Sequence, residues 1–193
     1  MMKNHYNKLT KSIFEIASVF VIAVTVTVIL FTFCFRFVTV DNSSMQPTLE
    51  NGDIVIINSG NKLYKYDDIV VISQSGVINE PIIKRVIASQ GQWVDVDYDN
   101  GKVYVGNTKD TMIALDENYV SENVSIRQST DISEYPLQVP EGCVFVLGDN
   151  RNDSVDSRSY LIGFVDEDCI VGKVICRVYS ATVGLNFSKS DIY

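Results

Sequence analysis

The chain contains very little histidine, the residue on which many hydrolase active sites depend. Among its 193 residues there is one histidine, His5, and it lies in a basic segment at the N-terminus. After residue 5, histidine is therefore excluded as the base of a Ser-His-Asp triad, as the partner of a catalytic cysteine and as a ligand in an HExxH metalloprotease. Any catalysis in the rest of the chain must use another base.

Cysteine is also scarce. Cys34 lies in a long apolar run, and Cys143, Cys169 and Cys176 form an odd set without a Cys-x-x-Cys pair. This spacing, together with the lack of histidine, argues against a zinc site, and we expect no metal and no cofactor. One disulfide is compatible with export from the cell, but the spacing assigns no pair, and three small buried apolar side chains are the alternative.

Positive charge is scarce beyond the N-terminal region. The net charge is −8, and residues 41–193 carry 12 Lys and Arg against 23 Asp and Glu. Binding to phosphate groups requires clustered cations, so this balance argues against a nucleic-acid partner. It argues equally against attachment to anionic lipid by charge alone.

One long apolar run is present. Ile16 to Phe35 is a stretch of 20 residues without a charge, bounded by Glu15 and Arg36. At about 1.5 Å per residue, a helix of this length crosses the roughly 30 Å hydrocarbon core of a bilayer. A cleaved signal peptide is the alternative, but its apolar region runs to only about 7 to 15 residues. The run therefore predicts one transmembrane anchor helix.

The basic residues near the apolar run predict its orientation. Lys3, Lys8 and Lys11 precede it, whereas Arg36 is the one cation close behind it. The positive-inside rule then keeps the N-terminus in the cytoplasm. We expect residues 1–15 to be a cytoplasmic tail, 16–35 the anchor, and 36–193 a domain outside the plasma membrane of a single-pass protein.

The exported part has the pattern of an all-β domain. Short runs rich in Val, Ile and Tyr alternate with Gly, Asn, Asp and Ser, and no long amphipathic helical pattern appears after Asp41. Asn100-Gly101 predicts a tight hairpin turn. Residues 116–140 are polar and aperiodic, which predicts a long loop or small flap. The predicted strands are Ile54–Ile57, Ile69–Ile72, Pro81–Ala88, Val103–Val105, Cys143–Leu147 and Ile170–Tyr179.

Lys84 stands out among the cations because its strand is otherwise apolar. Alternation places Lys84 on one face with Ile82, Val86 and Ala88, and leaves Arg85 on the other face as a surface or ion-pairing residue. Desolvation of an ammonium favours the neutral amine, which can accept a proton from a serine. The alternatives are that Lys84 reaches solvent from a strand edge or pairs with a carboxylate such as Glu80.

The segment from Gly148 to Arg158 combines turn formers, charges of both signs and hydroxyl groups after an apolar strand. It is compatible with a solvated turn or, weakly, with a calcium loop that lacks the usual glycine and terminal glutamate. A third interpretation is catalytic. In that case Asp156 and Arg158 form a supporting ion pair, and Ser154 orients the Lys84 amine.

Three stretches together resemble the type I signal peptidases, in order, in spacing and in the anchor that precedes them. They are Ser44-Met45-Gln46-Pro47-Thr48-Leu49, Lys84-Arg85-Val86-Ile87, and Gly148-Asp149-Asn150-Arg151 through Ser154, Asp156, Ser157 and Arg158. The single anchor and compact middle section are similar to the Gram-positive form of the family. Gly91-Gln92 and Ala88 depart from the family's common Gly-Asp and Gly.

The resemblance implies a role for each matching residue. Ser44 is expected to be the nucleophile and Lys84 its general base, acting through an acyl-enzyme, with Ser154 orienting the lysine. The Ser44 N–H is expected to donate to the oxyanion. Asn42 occupies the position where some relatives have a serine that supplies the second donor. Its side-chain amide is our candidate for that donor, and the alternative is that this chain has no second donor.

The resemblance also implies substrates and partners. These are signal peptides of exported preproteins, cut after small-x-small sequences, with the lipid bilayer and the secretion translocon as further partners. The candidate walls of the substrate pocket are Val40, Met45, Ile82 and Ile83, with core packing as the alternative. Two other functions remain open. One is a self-cleaving Ser/Lys peptidase, and the other is an anchored β-domain that binds peptide or cell-wall ligands without catalysis.

Overall fold

The computed structural model describes residues 2–33, 35–60, 62–73, 80–121, 131–132 and 134–188. The chain divides into two compact units, Met1–Arg36 and Phe37–Tyr193. Cys34 lies outside the described residues, as do residues 122–130 and 133 of the predicted loop or flap at 116–140.

The N-terminal unit contains helix α1, Met2–Phe33. In the described part of the chain, this is the one helix long and apolar enough to cross a membrane, over Lys11–Ile29 with a mean hydropathy of 2.3. The helix starts within the predicted tail and ends before Phe35, which begins the first strand. Insertion into a membrane, and the orientation across it, remain predictions.

The larger unit confirms the predicted all-β domain. Beyond α1, the described residues form strands and two single-turn 3-10 helices, Lys109–Thr111 and Glu167–Cys169. The strands are β1 Phe35–Thr39, β2 Ile54–Asn58, β3 Ile69–Ile72, β4 Ile82–Ser89, β5 Trp93–Asp97, β6 Lys102–Gly106, β7 Ile113–Ala114, β8 Leu137–Gln138, β9 Cys143–Leu147, β10 Val165–Asp166, β11 Ile170–Ser180 and β12 Gly184–Ser188.

The strands form two sheets. The larger has the order β1-β2-β11-β3-β4-β9-β10, with β12 also paired to β11, and the smaller has the order β7-β6-β5-β8. The path of the larger sheet has two ends, so its described part is open and is not a closed barrel. The predicted hairpin joins β5 to β6, with Gly101 at φ 64°, a value that glycine adopts without strain.

Strand β4 lies inside the larger sheet between β3 and β9. Lys84 pairs with Val70 and shares a face with Val86, as alternation predicts. A bulge between Val86 and Ala88 shifts the register. The prediction that Ala88 shares the Lys84 face is therefore wrong: Ala88 pairs with Phe145 and packs in a different part of the core.

Cysteine contributes no crosslink in the described residues. Cys143, Cys169 and Cys176 are free thiols, and each is partly exposed. The predicted burial of all three as small apolar side chains is therefore only partial.

Candidate active site

The turn that carries Ser44 is fixed by its apolar neighbours. Met45 and Leu49 are fully buried in the core beside Val40, and the Leu49 N–H donates to the Met45 carbonyl at 2.9 Å. Ser44 itself is 7% exposed. Burial of apolar side chains on either side of a polar residue holds its backbone in place, so the hydroxyl projects from a rigid turn.

Lys84 reaches this hydroxyl from β4. Its Nζ donates a hydrogen bond to Ser44 Oγ at 2.6 Å, and the side chain is buried. Because Lys84 is 2% exposed, it does not reach solvent, and no described contact joins it to Glu80, which is exposed. Burial lowers the pKa of Lys84 from 10.5 to about 8; Arg158 contributes to the lowering, and Asp156 and Asp149 oppose it. A substantial fraction of the amine is consequently neutral in mildly alkaline solution.

The loop after β9 lies beside Lys84 because β9 pairs with β4. Arg158 donates from Nε to Asp156 Oδ1 at 2.8 Å and from Nη2 to Oδ2 at 2.9 Å, and both side chains are buried. The Gly148 N–H also donates to Asp156 Oδ2, at 3.0 Å. Although burial alone would raise the pKa of Asp156, Arg158 and these hydrogen bonds hold it below the ordinary value. Asp156 therefore remains ionised and fixes the loop.

Ser154 and Gly148 come together on the side of this loop that faces the Ser44 turn. Ser154 is buried, and its carbonyl accepts a hydrogen bond from Arg158 Nη2 at 3.4 Å. A Cβ added at Gly148 would contact Ser154 Oγ and would lie 2.5 Å from the Ser44 carbonyl oxygen. Glycine is thus required at position 148 for Ser154 to approach the Ser44 turn so closely.

Asn42 contacts Ser44 through an acceptor. Its Oδ1 accepts from the Ser44 N–H at 3.2 Å and from Ser44 Oγ at 2.8 Å. A planar side-chain amide has its acceptor oxygen at one end and its donor NH2 group at the other. In this arrangement the carbonyl side of Asn42 occupies the Ser44 N–H, the first predicted oxyanion donor.

Sequence reasoning missed the ionic network behind Ser44 and Lys84. The Arg85 side chain is fully buried. It donates from Nε and Nη2 to the two oxygens of Asp149, at 2.9 and 2.7 Å. Thr48 Oγ1 donates to Asp149 Oδ2 at 2.5 Å. Arg85 is therefore an ion-pairing residue and not a surface residue. A signal was available, because a charge on an apolar interior strand requires a partner.

The candidate pocket residues lie in the core. Val40, Met45 and Ile83 pack together in one part of it, and Ile82 in another, with each at most 9% exposed. Their role as pocket walls therefore remains a prediction. Within the described ranges no group of three or more His, Cys, Asp or Glu side chains could hold a metal.

The fold and the site together define a class. A buried serine hydroxyl in contact with a buried lysine of lowered pKa, on an all-β domain, is compatible with a serine hydrolase, because a neutral amine can accept the proton of a hydroxyl group. Comparison with known proteins agrees with this class. The family model described as "Signal peptidase, peptidase S26" matches residues 13–179.

Individual relatives give the same result. Signal peptidase I S of Bacillus subtilis is 33% identical over 168 residues, covering 83% of this chain and 86% of that protein. Thylakoidal processing peptidase 1 of Arabidopsis thaliana is 32% identical and covers 90% of this chain, which spans about half the length of that relative. A crystal structure of a signal peptidase I from Enterococcus faecalis matches 57% of this chain and 96% of its own, with 30% identity and a TM-score of 0.44. The chain belongs to the signal peptidase family, peptidase S26.

Proposed function

We propose that the protein is a membrane-anchored serine endopeptidase that removes N-terminal signal peptides from exported preproteins, with Ser44 as nucleophile and Lys84 as general base. The observation that carries the proposal is the 2.6 Å contact between Lys84 Nζ and Ser44 Oγ in a buried site. Family membership supports the substrate class. The relatives' names refer to signal peptidases and thylakoidal processing peptidases.

Acylation follows from the contact between the two side chains. Neutral Lys84 takes the hydroxyl proton as Ser44 Oγ attacks the scissile carbonyl carbon, which gives a tetrahedral oxyanion. When the C–N bond breaks, the Lys84 ammonium gives its proton to the leaving amine. The mature protein departs with a new amino terminus, and the signal peptide remains as an ester on Ser44.

Deacylation uses the same base a second time. Lys84, again neutral, takes a proton from a water molecule that attacks the ester carbonyl, and it returns the proton to Ser44 Oγ as the signal peptide leaves with a free carboxylate. Ser154 is proposed to orient the amine in both steps. The Asp156–Arg158 pair is proposed to hold the loop that carries Ser154. The burial of both side chains and the contact between them support this role of the pair.

The oxyanion donors require Asn42 to rearrange. Substrate displaces Asn42 Oδ1 from the Ser44 N–H, which then donates to the oxyanion, and rotation of the amide presents Asn42 Nδ2 as the second donor. Each donor of this kind stabilises the transition state by about 3 kcal/mol. The proposal is supported by the distances of Asn42 Oδ1 to Ser44 N and Oγ, 3.2 and 2.8 Å, which place the amide beside the reacting atoms.

Anchoring and strand addition are proposed to bring the substrate to the site. Helix α1 spans the plasma membrane with its N-terminus in the cytoplasm, so enzyme and preprotein share one thin layer near the translocon, which raises their effective concentration. The preprotein binds as an extended strand beside residues 38–42 and residues 82–84, the part of β4 that precedes its pairing with β9, with pockets that admit small side chains.

The test of the proposed activity is cleavage of a preprotein by the full-length protein in detergent micelles. We expect one cut, directly after a small-x-small sequence, identified by the N-terminal sequence of the product. A matched preprotein with tyrosine at both small positions is the control and should remain intact, because shallow pockets exclude its rings. Binding without cleavage would instead favour a binding module, and cleavage of the protein's own chain alone would favour a self-cleaving peptidase.

The rate of cleavage should rise with pH. Lys84 acts as a base only when neutral, and its pKa is about 8, so kcat/KM should increase about tenfold per pH unit well below 8 and level off above it. The measurement is kcat/KM of the full chain from pH 6 to 10, with folding monitored by the fluorescence of Trp93, the single tryptophan. A profile independent of pH below 8 would contradict a lysine base.

A further inference from the structure

A buried ion pair joins residues 148–158, which we call the catalytic loop, to a segment that precedes this loop by about 30 residues in the chain. Arg151 donates from Nη1 to Glu117 Oε2 at 2.8 Å and from Nη2 to Glu117 Oε1 at 2.5 Å. The side chains are 2% and 12% exposed, respectively. Such a planar, two-bond pair fixes orientation as well as distance. Glu117 belongs to residues 116–121, which we call the bracing segment.

The bracing segment also inserts a ring next to two guanidinium groups. The Tyr119 ring lies 4.0 Å from Arg85 Cζ and 6.0 Å from Arg151 Cζ, measured to its centroid. Tyr119 Oη donates to Glu117 Oε1 at 3.0 Å. A cation over a desolvated aromatic face is stabilised electrostatically. Tyr119 and Glu117 therefore contact each other, and together they contact both Arg85 and Arg151.

Each arginine in turn fixes the catalytic loop. Arg151 Nε donates to the Gly148 carbonyl at 3.1 Å, and Arg85 binds both oxygens of Asp149. The loop then reaches the turn that carries the nucleophile. The Asn150 N–H donates to the Ser44 carbonyl at 3.0 Å, and Asn150 Nδ2 to the Ser43 carbonyl at 3.3 Å.

We infer that the bracing segment positions Ser44 for its reaction with Lys84, with Glu117 and Tyr119 as the positioning residues. Neither residue touches Ser44 or Lys84 in any described contact. Their effect passes through Arg151 and Arg85 to the Gly148–Asn150 backbone and from there to the Ser44 carbonyl. The kinetic part of this inference rests on the proposed peptidase function.

A catalytic effect arises because the reaction requires tight geometry. An error of about 1 Å between nucleophile and base costs on the order of 100-fold in rate. Loss of the bracing segment frees the Gly148–Asn150 backbone, which Arg151 and Arg85 otherwise hold. The groups facing Lys84, which are Ser44, Asp156, Arg158 and Asp149, remain present. Loss of the bracing segment is therefore expected to change the positions of these groups and to remove none of them.

The kinetic test compares Glu117→Gln and Tyr119→Leu with wild type in the preprotein assay. We expect kcat to fall by about 10- to 100-fold in each variant with KM within about twofold, at a temperature where both remain folded. Tyr119→Phe keeps the ring against Arg85 and should recover most of the rate. Asp168→Asn, in an exposed ion pair with Lys62, is the matched control and should retain wild-type kinetics.

A second measurement does not depend on activity. Amide hydrogen exchange by mass spectrometry should show faster exchange in Glu117→Gln and Tyr119→Leu within residues 148–158 and also within residues 42–49, with the β5–β6 hairpin unchanged. Faster exchange confined to the bracing segment would overturn the inference, as would a native kcat in both variants. If wild-type protein fails to cleave preprotein, the proposed function fails, and the exchange pattern still decides the inference.

Discussion

Replacing Lys84 with methionine should lower kcat by at least about 1,000-fold while leaving KM within a few-fold of wild type. Methionine fills a similar volume in a site that is 2% exposed, so the fold is retained, but it has no lone pair basic enough to take the Ser44 proton. The measurement is single-turnover cleavage of a preprotein by full-length protein. Lys102→Met, at an exposed position on the smaller sheet, is the control and should behave as wild type.

Replacing Lys84 with arginine tests whether the residue at position 84 acts as a base or only supplies a positive charge. Arginine keeps the charge near Ser44 but does not lose its proton in the working range of pH, so Lys84→Arg should be as inactive as Lys84→Met. Ser44→Ala should lose a similar amount, and Ser44→Ala combined with Lys84→Met should lose no more than either alone, because the two residues act as a unit. Substantial cleavage by Lys84→Arg would show that Lys84 is not the base.

The sequence was sufficient to propose Ser44 and Lys84 as a catalytic pair because local arguments narrowed the candidates and a family resemblance then assigned their roles. With histidine confined to position 5, a lysine was the remaining candidate base, and Lys84 stood out on an apolar strand without being selected by it. The resemblance to type I signal peptidases implied that Lys84 is the base and Ser44 the nucleophile. The strand pattern likewise predicted Ile69–Ile72 and Cys143–Leu147 at their observed bounds. Patterns of this kind depend on neighbours within a few residues, which a sequence displays directly.

The contacts of Arg85 and Thr48 with Asp149, which lie behind the pair, could not be predicted in the same way. Arg85 and Asp149 are 64 residues apart, and Thr48 and Asp149 are 101 apart. Their contacts exist only because β4 and β9 are paired and because the Ser44 turn packs against the loop that follows β9. The prediction that Ala88 lies on the Lys84 face was wrong for a related reason. A bulge adds one residue to a strand and reverses the alternation beyond it, and nothing in the local pattern marked that bulge.

The Arg85–Asp149 pair provides the largest expected effect on stability. Asp149→Ala should lower the free energy of unfolding of the catalytic domain by about 3–5 kcal/mol, because it leaves the Arg85 guanidinium buried without its principal partner. Both side chains have no exposed surface. Burial alone would lower the pKa of Arg85, but the hydrogen bonds and charge of Asp149 raise it. Arg85 therefore stays charged at every pH at which the protein is folded. The contact of Arg85 with Asp67, which is 35% exposed on its side chain, compensates only in part.

The measurement is urea unfolding of the full chain in detergent, followed by Trp93 fluorescence. Asp168→Ala removes a carboxylate from an exposed ion pair and should change the midpoint little. The double variant Asp149→Leu with Arg85→Met removes both charges and should recover most of the lost stability, since the penalty lies in the unpaired buried charge and not in the missing hydrogen bonds. A double variant as unstable as Asp149→Ala would instead show that Asp149 stabilises the domain mainly through Thr48 and the loop backbone.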